Sequence, residues 1–401
     1  EAPQVMAHAF QAMTSGRPGP VAVEMPWDMF PATAEVTPVE PLGKRVPPLP
    51  DAEKITALAK LVNAAKAPMI WVGGGAVGAG PEILELVEKI GAPVVSFRTG
   101  KGVVDSRHPL SLNTVSGFHL WDRTDLLIGI GTRLDVPTAR WAPAPVGLKL
   151  ARIDIDPAEH RRLPVNVAVV ADAAEGTRAL VDAVERRDNP SWGKAVAAAK
   201  AAALAQLQKA QPQYSMVEAI RDVLPDDGIV VDEVTQMGFA ARLALPVYKP
   251  RTFLSPGYQD NLGWGFATAL GVQDARRDTP VVSISGDGGF MYTANELSTA
   301  MRHRIPLVTI VFADGAFGNV RRTQEERYGN RLIACDLANP DFVRFAESFG
   351  AAAERVRDPD ALRAALKRGF ARRDGPTLIE MPVGPMPSPW EFIHMPRVRG
   401  D

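Results

Sequence analysis

The sequence predicts an α/β protein with two doubly wound parallel-sheet domains and the C-terminal end of a third domain. Short runs of β-branched and apolar residues alternate with helix-like segments over most of the chain, and several of these runs end at glycine-rich turns. Parallel strands need a crossover connection, usually a helix, and the alternation supplies one. With 401 residues, the chain is long enough for two or three domains.

The alternation also predicts how the chain is divided. Residues 5–14 have helical spacing and residues 21–25 resemble a strand, so they look like the last pair of elements of a domain whose earlier part is absent. The predicted segments are the end of that domain (1–32), a proline-rich linker (33–50), a central Rossmann-like domain (51–187), a helical connector (188–213), a second sheet domain (214–385) and a tail (386–401).

Composition excludes several classes of function. The 45 Lys and Arg residues nearly cancel the 46 Asp and Glu residues, so we expect no binding to nucleic acid or to an anionic membrane surface. No apolar run approaches the roughly 20 residues that span a bilayer. The single cysteine, Cys335, excludes an intrachain disulfide and agrees with a cytoplasmic location.

One strand–helix–strand unit carries the candidate chemistry. The apolar run 281–284 ends at Gly286-Asp287-Gly288-Gly289, a helix is predicted over residues 290–303, and the apolar run 306–312 ends at Ala313-Asp314-Gly315. Neighbouring parallel strands end at the same sheet edge, so Asp287 and Asp314, 27 residues apart, should lie side by side. Two carboxylates beside glycine turns suit a Mg²⁺ ion that holds a phosphate group.

The alternative is that both aspartates belong to ordinary turns. Gly-Asp-Gly and Ala-Asp-Gly are typical turn sequences, and either one alone favours that interpretation. Their occurrence at the ends of two apolar strands of the same unit favours the metal–diphosphate site instead.

The spacing from Gly286-Asp287-Gly288 to Asp314 resembles the thiamine-diphosphate motif of the acetolactate synthase and 2-oxo-acid decarboxylase superfamily. The resemblance implies that Asp287, Asp314 and the carbonyl of Ala316 are Mg²⁺ ligands. The family usually has two asparagines where this chain has Ala313-Asp314. The aspartate keeps an oxygen ligand and adds a negative charge, which should strengthen metal binding.

The same resemblance implies a set of cofactor and substrate residues. Leu262 would be the apolar side chain between the two cofactor rings, although without the resemblance it would be an ordinary core leucine. The carbonyl of Asp260 would accept a hydrogen bond from the aminopyrimidine. The implied cofactor-binding residues are Thr235, Gln236, Asp260, Leu262, Gly286, Gly288, Gly289, Phe317 and Gly318, and the implied substrate-pocket residues are Asn319, Val320 and Thr323.

The family also implies an activity and an assembly. Residues 17–21 and 24–28 resemble the end of its pyrimidine-binding domain, but no residue here matches the cofactor-activating glutamate of that domain. The implied activity is that of a lyase or transferase: decarboxylation of a 2-oxo acid and carboligation to a second carbonyl compound, in a homodimer or homotetramer. The alternatives are a non-ligating decarboxylase of the benzoylformate type and a non-catalytic cofactor-binding piece. Thr323 replaces the tryptophan of acetolactate synthases, which leaves room for a bulkier acceptor.

The central domain contains a second glycine motif. Gly73-Gly74-Gly75-Ala76-Val77-Gly78 fits the dinucleotide pattern, but the next predicted strand ends at Ser96-Phe97-Arg98 without the acid that NAD binding requires. By the resemblance, this domain binds FAD in true acetolactate synthases, an adenine nucleotide in other members and nothing in many. Residues 112–117 differ from the turn of the FAD-binding members, so these three alternatives stay open.

Overall fold

A computed structural model describes residues 1–141, 143–257 and 259–388 of the chain. These residues form two six-stranded sheets, each entirely parallel and flanked by helices, which confirms the predicted fold class. Among them, no helix is both long and apolar enough to cross a membrane. Most of the predicted tail, including its last residues 389–401, lies outside the described part.

Residues 1–50 contain one α-helix, a short 3-10 turn (Trp27–Met29) and no strand. Helix α1 (Ala2–Thr14) confirms the predicted helix. The strand predicted over residues 21–25 is wrong, because no described strand pairs with this segment. Val21, Val23 and Met25 are all exposed, so among the described residues this segment has no strand to pair with and no core to face.

The first sheet is built from residues 68–170. In chain order its elements are α2 (Ala52–Ala64), β1 (Pro68–Val72), α3 (Gly80–Ile90), β2 (Val94–Ser96), β3 (Ser111–Leu112), α4 (Thr114–Phe118), β4 (Leu126–Ile130), β5 (Lys149–Asp154), α5 (Pro157–Arg162), β6 (Val167–Val170) and α6 (Ala173–Ala183). The strand order is β3-β2-β1-β4-β5-β6. The sequence did not predict β3 or β6, which are short strands at the two edges.

Helix α7 (Pro190–Leu207) follows the first sheet, as the predicted helical connector requires. It also covers part of that sheet. Trp192, Val196 and Ala199 are buried in one cluster with Trp71 of β1 and Leu127 of β4. The helix therefore contributes apolar burial to the first sheet in addition to connecting the two sheets.

The second sheet is built from residues 229–382. In chain order its elements are α8 (Gln213–Val223), β7 (Ile229–Val231), α9 (Gln236–Ala244), β8 (Phe253–Leu254), α10 (Trp264–Ala275), β9 (Val281–Gly286), α11 (Asp287–Met291), α12 (Leu297–Arg302), β10 (Val308–Ala313), α13 (Gly318–Arg327), α14 (Phe342–Ser348), β11 (Ala352–Arg355), α15 (Pro359–Ala371) and β12 (Thr377–Pro382). The strand order is β11-β12-β10-β9-β7-β8. β8 lies on one side of β7 and β9 lies on the other, so the order of the strands reverses between β7 and β9. Open α/β sheets bind their ligands at such a reversal point.

The single helix predicted over residues 290–303 is wrong. The chain forms α11, a short 3-10 turn (Ala294–Glu296) and α12 instead. Thr293 has φ −133° and ψ 14°, which leaves the helical region. Phe290 before the break and Leu297 after it are buried in the same apolar cluster, and the local packing around Thr293 overrides the helical periodicity.

Candidate functional site

A cavity of about 270 Å³ lies at the carboxyl ends of β7, β9 and β10. It occupies the reversal point of the second sheet, which is the usual ligand position in such folds. All of the residues predicted to bind cofactor, metal or substrate line this cavity except Thr323. Five lining residues were not predicted from the sequence: Val234, Met237, Phe312, Val383 and Met386.

Thr323 lies one helical turn beyond the cavity. Its hydroxyl donates to the carbonyl of Asn319 at 2.9 Å within α13. Asn319 and Val320, in the first turn of the same helix, do line the cavity. The described residues therefore bring together two of the three predicted substrate-pocket residues.

Asp287 is the most firmly held side chain of the site. Its Oδ2 accepts from the backbone N–H of Gly315 at 2.8 Å and from Nδ2 of Asn339 at 2.6 Å. Its Oδ1 accepts from the backbone N–H of Gly288 at 2.9 Å. This buried carboxylate therefore joins the end of β9 to the turn after β10. No local pattern in the sequence points to Asn339, because it lies 52 residues from Asp287.

Asp314 is the second carboxylate of the predicted metal site. Burial, and then the charge of Asp287, raise the pKa of Asp314 to about 6. Its Oδ1 accepts from the backbone N–H of Ala316 at 3.1 Å, and Ala316 also forms an isolated bridge with Asp336. A cation between the two carboxylates would reduce their mutual repulsion.

The donor chemistry of this edge fits Mg²⁺. Two carboxylates and the carbonyl of Ala316 are hard oxygen donors, and Mg²⁺ completes its six ligands with phosphate oxygens and water. Over the described ranges, no group of three or more His, Cys, Asp or Glu side chains is placed to hold a metal. The backbone and the ligand would therefore have to supply the remaining oxygens.

Three glycines allow the site to be this compact. A Cβ at Gly288 would lie 2.5 Å from the ring of Phe317, and one at Gly289 would lie 2.5 Å from the carboxylate of Glu233. A Cβ at Gly318 would lie 2.6 Å from Oδ2 of Asp314. Side chains at these positions would displace the groups that form the cavity.

Thr235 and Gln236 bring polar groups to the same edge. The Thr235 hydroxyl accepts from the backbone N–H of Gly238 at 2.9 Å and so caps α9, and its own O–H can donate elsewhere. The Gln236 side-chain oxygen accepts from Arg322 at 3.1 Å, which orients its NH₂ group. That NH₂ nitrogen would lie 3.7 Å from a Cβ at Gly318, so a hydroxyl and an amide donor face the glycine turns.

The loop before α10 is fixed by Glu233 at the end of β7. Oε1 of Glu233 accepts from the backbone N–H groups of Gly263 at 2.6 Å and Gly265 at 3.3 Å. Burial raises the pKa of Glu233 to about 7. Leu262 is 36% exposed beside the cavity, so the interpretation of this residue as an ordinary core leucine is wrong.

The glycine turn of the first sheet packs against the turn that follows β4. A Cβ at Gly73 would lie 2.6 Å from the carbonyl oxygen of Gly131, and the N–H of Gly75 donates to that same oxygen at 3.0 Å. The turns after β1 and β4 therefore contact each other closely. The side chain of Asn113 caps α4 by accepting from the N–H of Ser116 at 2.8 Å. Local contacts account for the shape of both segments.

Comparison with known proteins agrees with this geometry. Residues 233–381 match the family described as thiamine pyrophosphate enzyme, C-terminal TPP binding domain. Residues 55–180 match the thiamine pyrophosphate enzyme central domain. The chain therefore belongs to the thiamine pyrophosphate enzymes, as the sequence motifs indicated.

Individual relatives within this family include acetolactate synthase large subunits and a decarboxylase. A protein of Methanococcus aeolicus named "probable acetolactate synthase large subunit" is 30% identical over 422 residues, covering 96% of this chain and 70% of the relative. The acetolactate synthase isozyme 1 large subunit of Escherichia coli (strain K12) is 29% identical, covering 96% and 70%. A "probable 2-ketoarginine decarboxylase" of Pseudomonas aeruginosa is 31% identical, covering 94% and 69%.

A solved structure has the same fold. It is an X-ray structure described as "a putative thiamin diphosphate-dependent enzyme" from Mycobacterium smegmatis. The two structures superimpose with a TM-score of 0.77 at 26% sequence identity, covering 96% of this chain and 74% of the other. At the level of family, this chain is an acetolactate synthase-like thiamine diphosphate enzyme.

Proposed function

We propose that this protein uses thiamine diphosphate and Mg²⁺ to decarboxylate a 2-oxo acid and to join the product to a second carbonyl compound. The observation that carries the proposal is the convergence of Asp287, Asp314 and Leu262 on one cavity at the reversal point of the second sheet. The similarity to two acetolactate synthase large subunits supports the carboligation step.

Each part of the cavity has a proposed task. The carboxylates of Asp287 and Asp314 and the carbonyl of Ala316 would hold Mg²⁺ against the diphosphate. Thr235 and Gln236 would donate hydrogen bonds to the terminal phosphate. When bound, thiamine diphosphate supplies a nucleophilic thiazolium carbon and an electron sink for the departure of CO₂.

The remaining cavity residues would orient the cofactor and the substrate. The carbonyl of Asp260 would accept from the aminopyrimidine, and Leu262 would separate the two rings. The backbone of Gly286, Gly288 and Gly289 and the ring of Phe317, with Gly318, would surround the diphosphate end. Asn319 and Val320 would line the substrate side, and Thr323 would act from the next turn of α13.

Calorimetry tests the cofactor proposal. Thiamine diphosphate should bind when Mg²⁺ is present, and Asp287→Ala should weaken binding by more than about 100-fold, because a metal ligand is lost. Asp278→Ala is the matched control, since Asp278 lies in the same domain with a fully exposed side chain. Retention of thiamine diphosphate by Asp287→Ala would contradict the metal assignment.

A second activity is favoured by one relative. Similarity to a protein named 2-ketoarginine decarboxylase supports decarboxylation without carboligation. Products separate the two activities: acetolactate from pyruvate supports carboligation, whereas CO₂ and a free aldehyde from aryl 2-oxo acids support simple decarboxylation. Cofactor binding without either product would indicate a non-catalytic cofactor-binding piece.

We also propose the organisation that the family implies. Residues 1–32 would be the end of a pyrimidine-binding domain, residues 51–187 the central domain and residues 214–385 the diphosphate-binding domain. The protein would be a cytoplasmic homodimer or homotetramer. Sedimentation of the purified protein tests the assembly, and a monomer at micromolar concentration would contradict it.

A further inference from the structure

Arg98 connects the first sheet to the cavity of the second sheet. It lies in the short 3-10 turn after β2 (Arg98–Gly100), on the side of the central domain. Its Nη2 nitrogen donates to the Asp260 carboxylate at 2.6 Å and to the carbonyl of Gly257 at 2.7 Å. The carbonyl of Pro256 accepts from the same nitrogen. We call residues 256, 257 and 259–263 the Asp260 loop.

A second arginine also contacts the Asp260 carboxylate. Arg242 of α9 contacts Oδ2 of Asp260 at 3.2 Å and Oδ1 at 3.1 Å. Arg242 is itself buried, and its Nε donates to Asp232 at 2.6 Å. The Asp260 carboxylate is therefore held by the buried Arg242 of its own domain and by Arg98 of the central domain.

The Asp260 loop is held in its conformation mainly by polar contacts. Asp260 has φ 53°, a left-handed conformation that is uncommon for a residue other than glycine. Its side chain is 31% exposed, and that of Leu262 is also accessible. A loop with little apolar burial and an unfavourable backbone conformation depends on its hydrogen bonds to keep one shape.

We propose that Arg98 is a positioning residue for the cofactor site. Its guanidinium holds the Asp260 loop in the shape that presents the Asp260 carbonyl and the Leu262 side chain to the cavity. The central domain thereby contributes to cofactor affinity without contacting the cofactor. The cofactor part of this inference rests on the proposed function, whereas the effect on the loop does not.

Arg107 provides a matched control. It also lies in the central domain and also reaches the second domain, where its Nη1 contacts Asp226 at 2.9 Å. It is 57% exposed, and Asp226 precedes β7, at the opposite end of the strand from the cavity. Arg107→Ala therefore removes an interdomain ion pair of the same chemistry without touching the Asp260 loop.

Two measurements on Arg98→Ala, Arg98→Lys and Arg107→Ala test the proposal. Hydrogen–deuterium exchange without cofactor should rise in peptides that span residues 257–263 for Arg98→Ala, partly for Arg98→Lys and not for Arg107→Ala. The Kd for thiamine diphosphate with Mg²⁺ should rise about tenfold for Arg98→Ala, because a charge-assisted hydrogen bond is lost. Unchanged exchange in Arg98→Ala would overturn the inference.

The outcomes separate this inference from the proposed function. If the wild-type protein binds no thiamine diphosphate, the proposed function fails, and the exchange experiment still decides whether Arg98 orders the loop. Increased exchange with an unchanged Kd would overturn the contribution to affinity. If Arg98→Ala does not fold, Asp260→Ala removes the same ion pair and keeps the backbone carbonyl. Exchange in peptides that contain the Asp260 loop should then rise for Asp260→Ala, and unchanged exchange in this variant would overturn the inference.

Discussion

At the scale of single residues, Glu233 is the buried carboxylate with the clearest consequence for stability. It is fully buried, and burial raises its pKa to about 7 from an ordinary value near 4.5. Between these two values the folded state holds a proton that the unfolded state releases. The free energy of unfolding therefore falls as pH rises through this window.

The variant Glu233→Gln tests whether the charge of Glu233 makes the free energy of unfolding fall as pH rises. The amide keeps an oxygen acceptor for the N–H groups of Gly263 and Gly265 and removes the buried charge. We expect the variant to be more stable than the wild type at pH 8 by on the order of 2 kcal/mol, with little difference at pH 4.5. Urea unfolding across this range measures it, and the exposed Glu85→Gln is the control. An equal difference in the free energy of unfolding at both pH values would show that ionisation of Glu233 is not its cause.

Asn339 allows a second prediction at this scale. Its Nδ2 donates to Oδ2 of Asp287 at 2.6 Å and so orients a proposed metal ligand. Asn339→Ala should weaken Mg²⁺-dependent thiamine diphosphate binding by about tenfold to 100-fold, as is usual for groups that orient metal ligands. Calorimetry measures the change. The exposed Asn295→Ala in the same domain should bind like the wild type, and an equal loss in both variants would argue against a specific role.

At the scale of elements, three helices approach Glu233 through glycine. A Cβ at Gly238 of α9 would lie 2.0 Å from the backbone oxygen of Glu233, and one at Gly265 of α10 would lie 2.8 Å from its Cβ. Gly289 of α11 meets the carboxylate from a third direction. These contacts bring the beginnings of the three helices to one point beneath the cavity.

The two glycines of α10 form a matched pair for testing this packing. Gly265→Ala should destabilise the protein by about 1–3 kcal/mol, because the new methyl group overlaps Glu233. Gly271 is exposed in the same helix with nothing within 4 Å of its Cβ position. Gly271→Ala should therefore stabilise the protein by up to about 1 kcal/mol through its helix propensity. Urea unfolding compares them, and equal effects would contradict the packing argument.

The strands set the geometry of the proposed metal site through their register. In the parallel pair of β9 and β10, Gly286 lies opposite Phe312. Asp287 therefore lies one residue beyond this pair on its chain segment, and Asp314 lies two residues beyond it. This is why the spacing of two aspartates after two apolar runs was enough to predict that they lie close together.

At the scale of the whole molecule, the two sheets meet around a buried lysine. Lys101 of the central domain is 4% exposed, and its Nζ donates to the carbonyl of Arg242 at 3.0 Å. Burial lowers its pKa to about 7 from an ordinary value near 10.5. Between these values the unfolded state holds a proton that the folded state lacks, so the free energy of unfolding rises with pH.

Lys101→Met should remove this pH dependence. We expect the variant to lie within about 1 kcal/mol of the wild type at pH 9.5 and to be relatively more stable at pH 7, because an unfavourable buried charge is absent. Thermal unfolding from pH 7 to 9.5 measures the difference, and the exposed Lys60→Met is the control. A variant that loses stability most strongly at pH 7 would show that the charge of Lys101 is favourable.

The sequence by itself determined the fold class and most of the residues that line the cavity. Alternating strands and helices require parallel sheets, and parallel strands bring their carboxyl ends to one edge. Asp287, Asp314 and the glycines beside them follow directly from that local pattern. The alternation misled at residues 21–25, which no described strand pairs with, and at Thr293, whose backbone leaves the helical region.

Only the tertiary structure decided which distant groups hold the site in place. Arg98, Glu233 and Asn339 each contact a loop that is far away in sequence. Their separations in sequence range from 30 to 162 residues, so no periodicity or turn signal connects them. The reason is physical: local sequence restricts backbone dihedral angles within an element, whereas contacts between elements depend on how complete sheets and helices pack together.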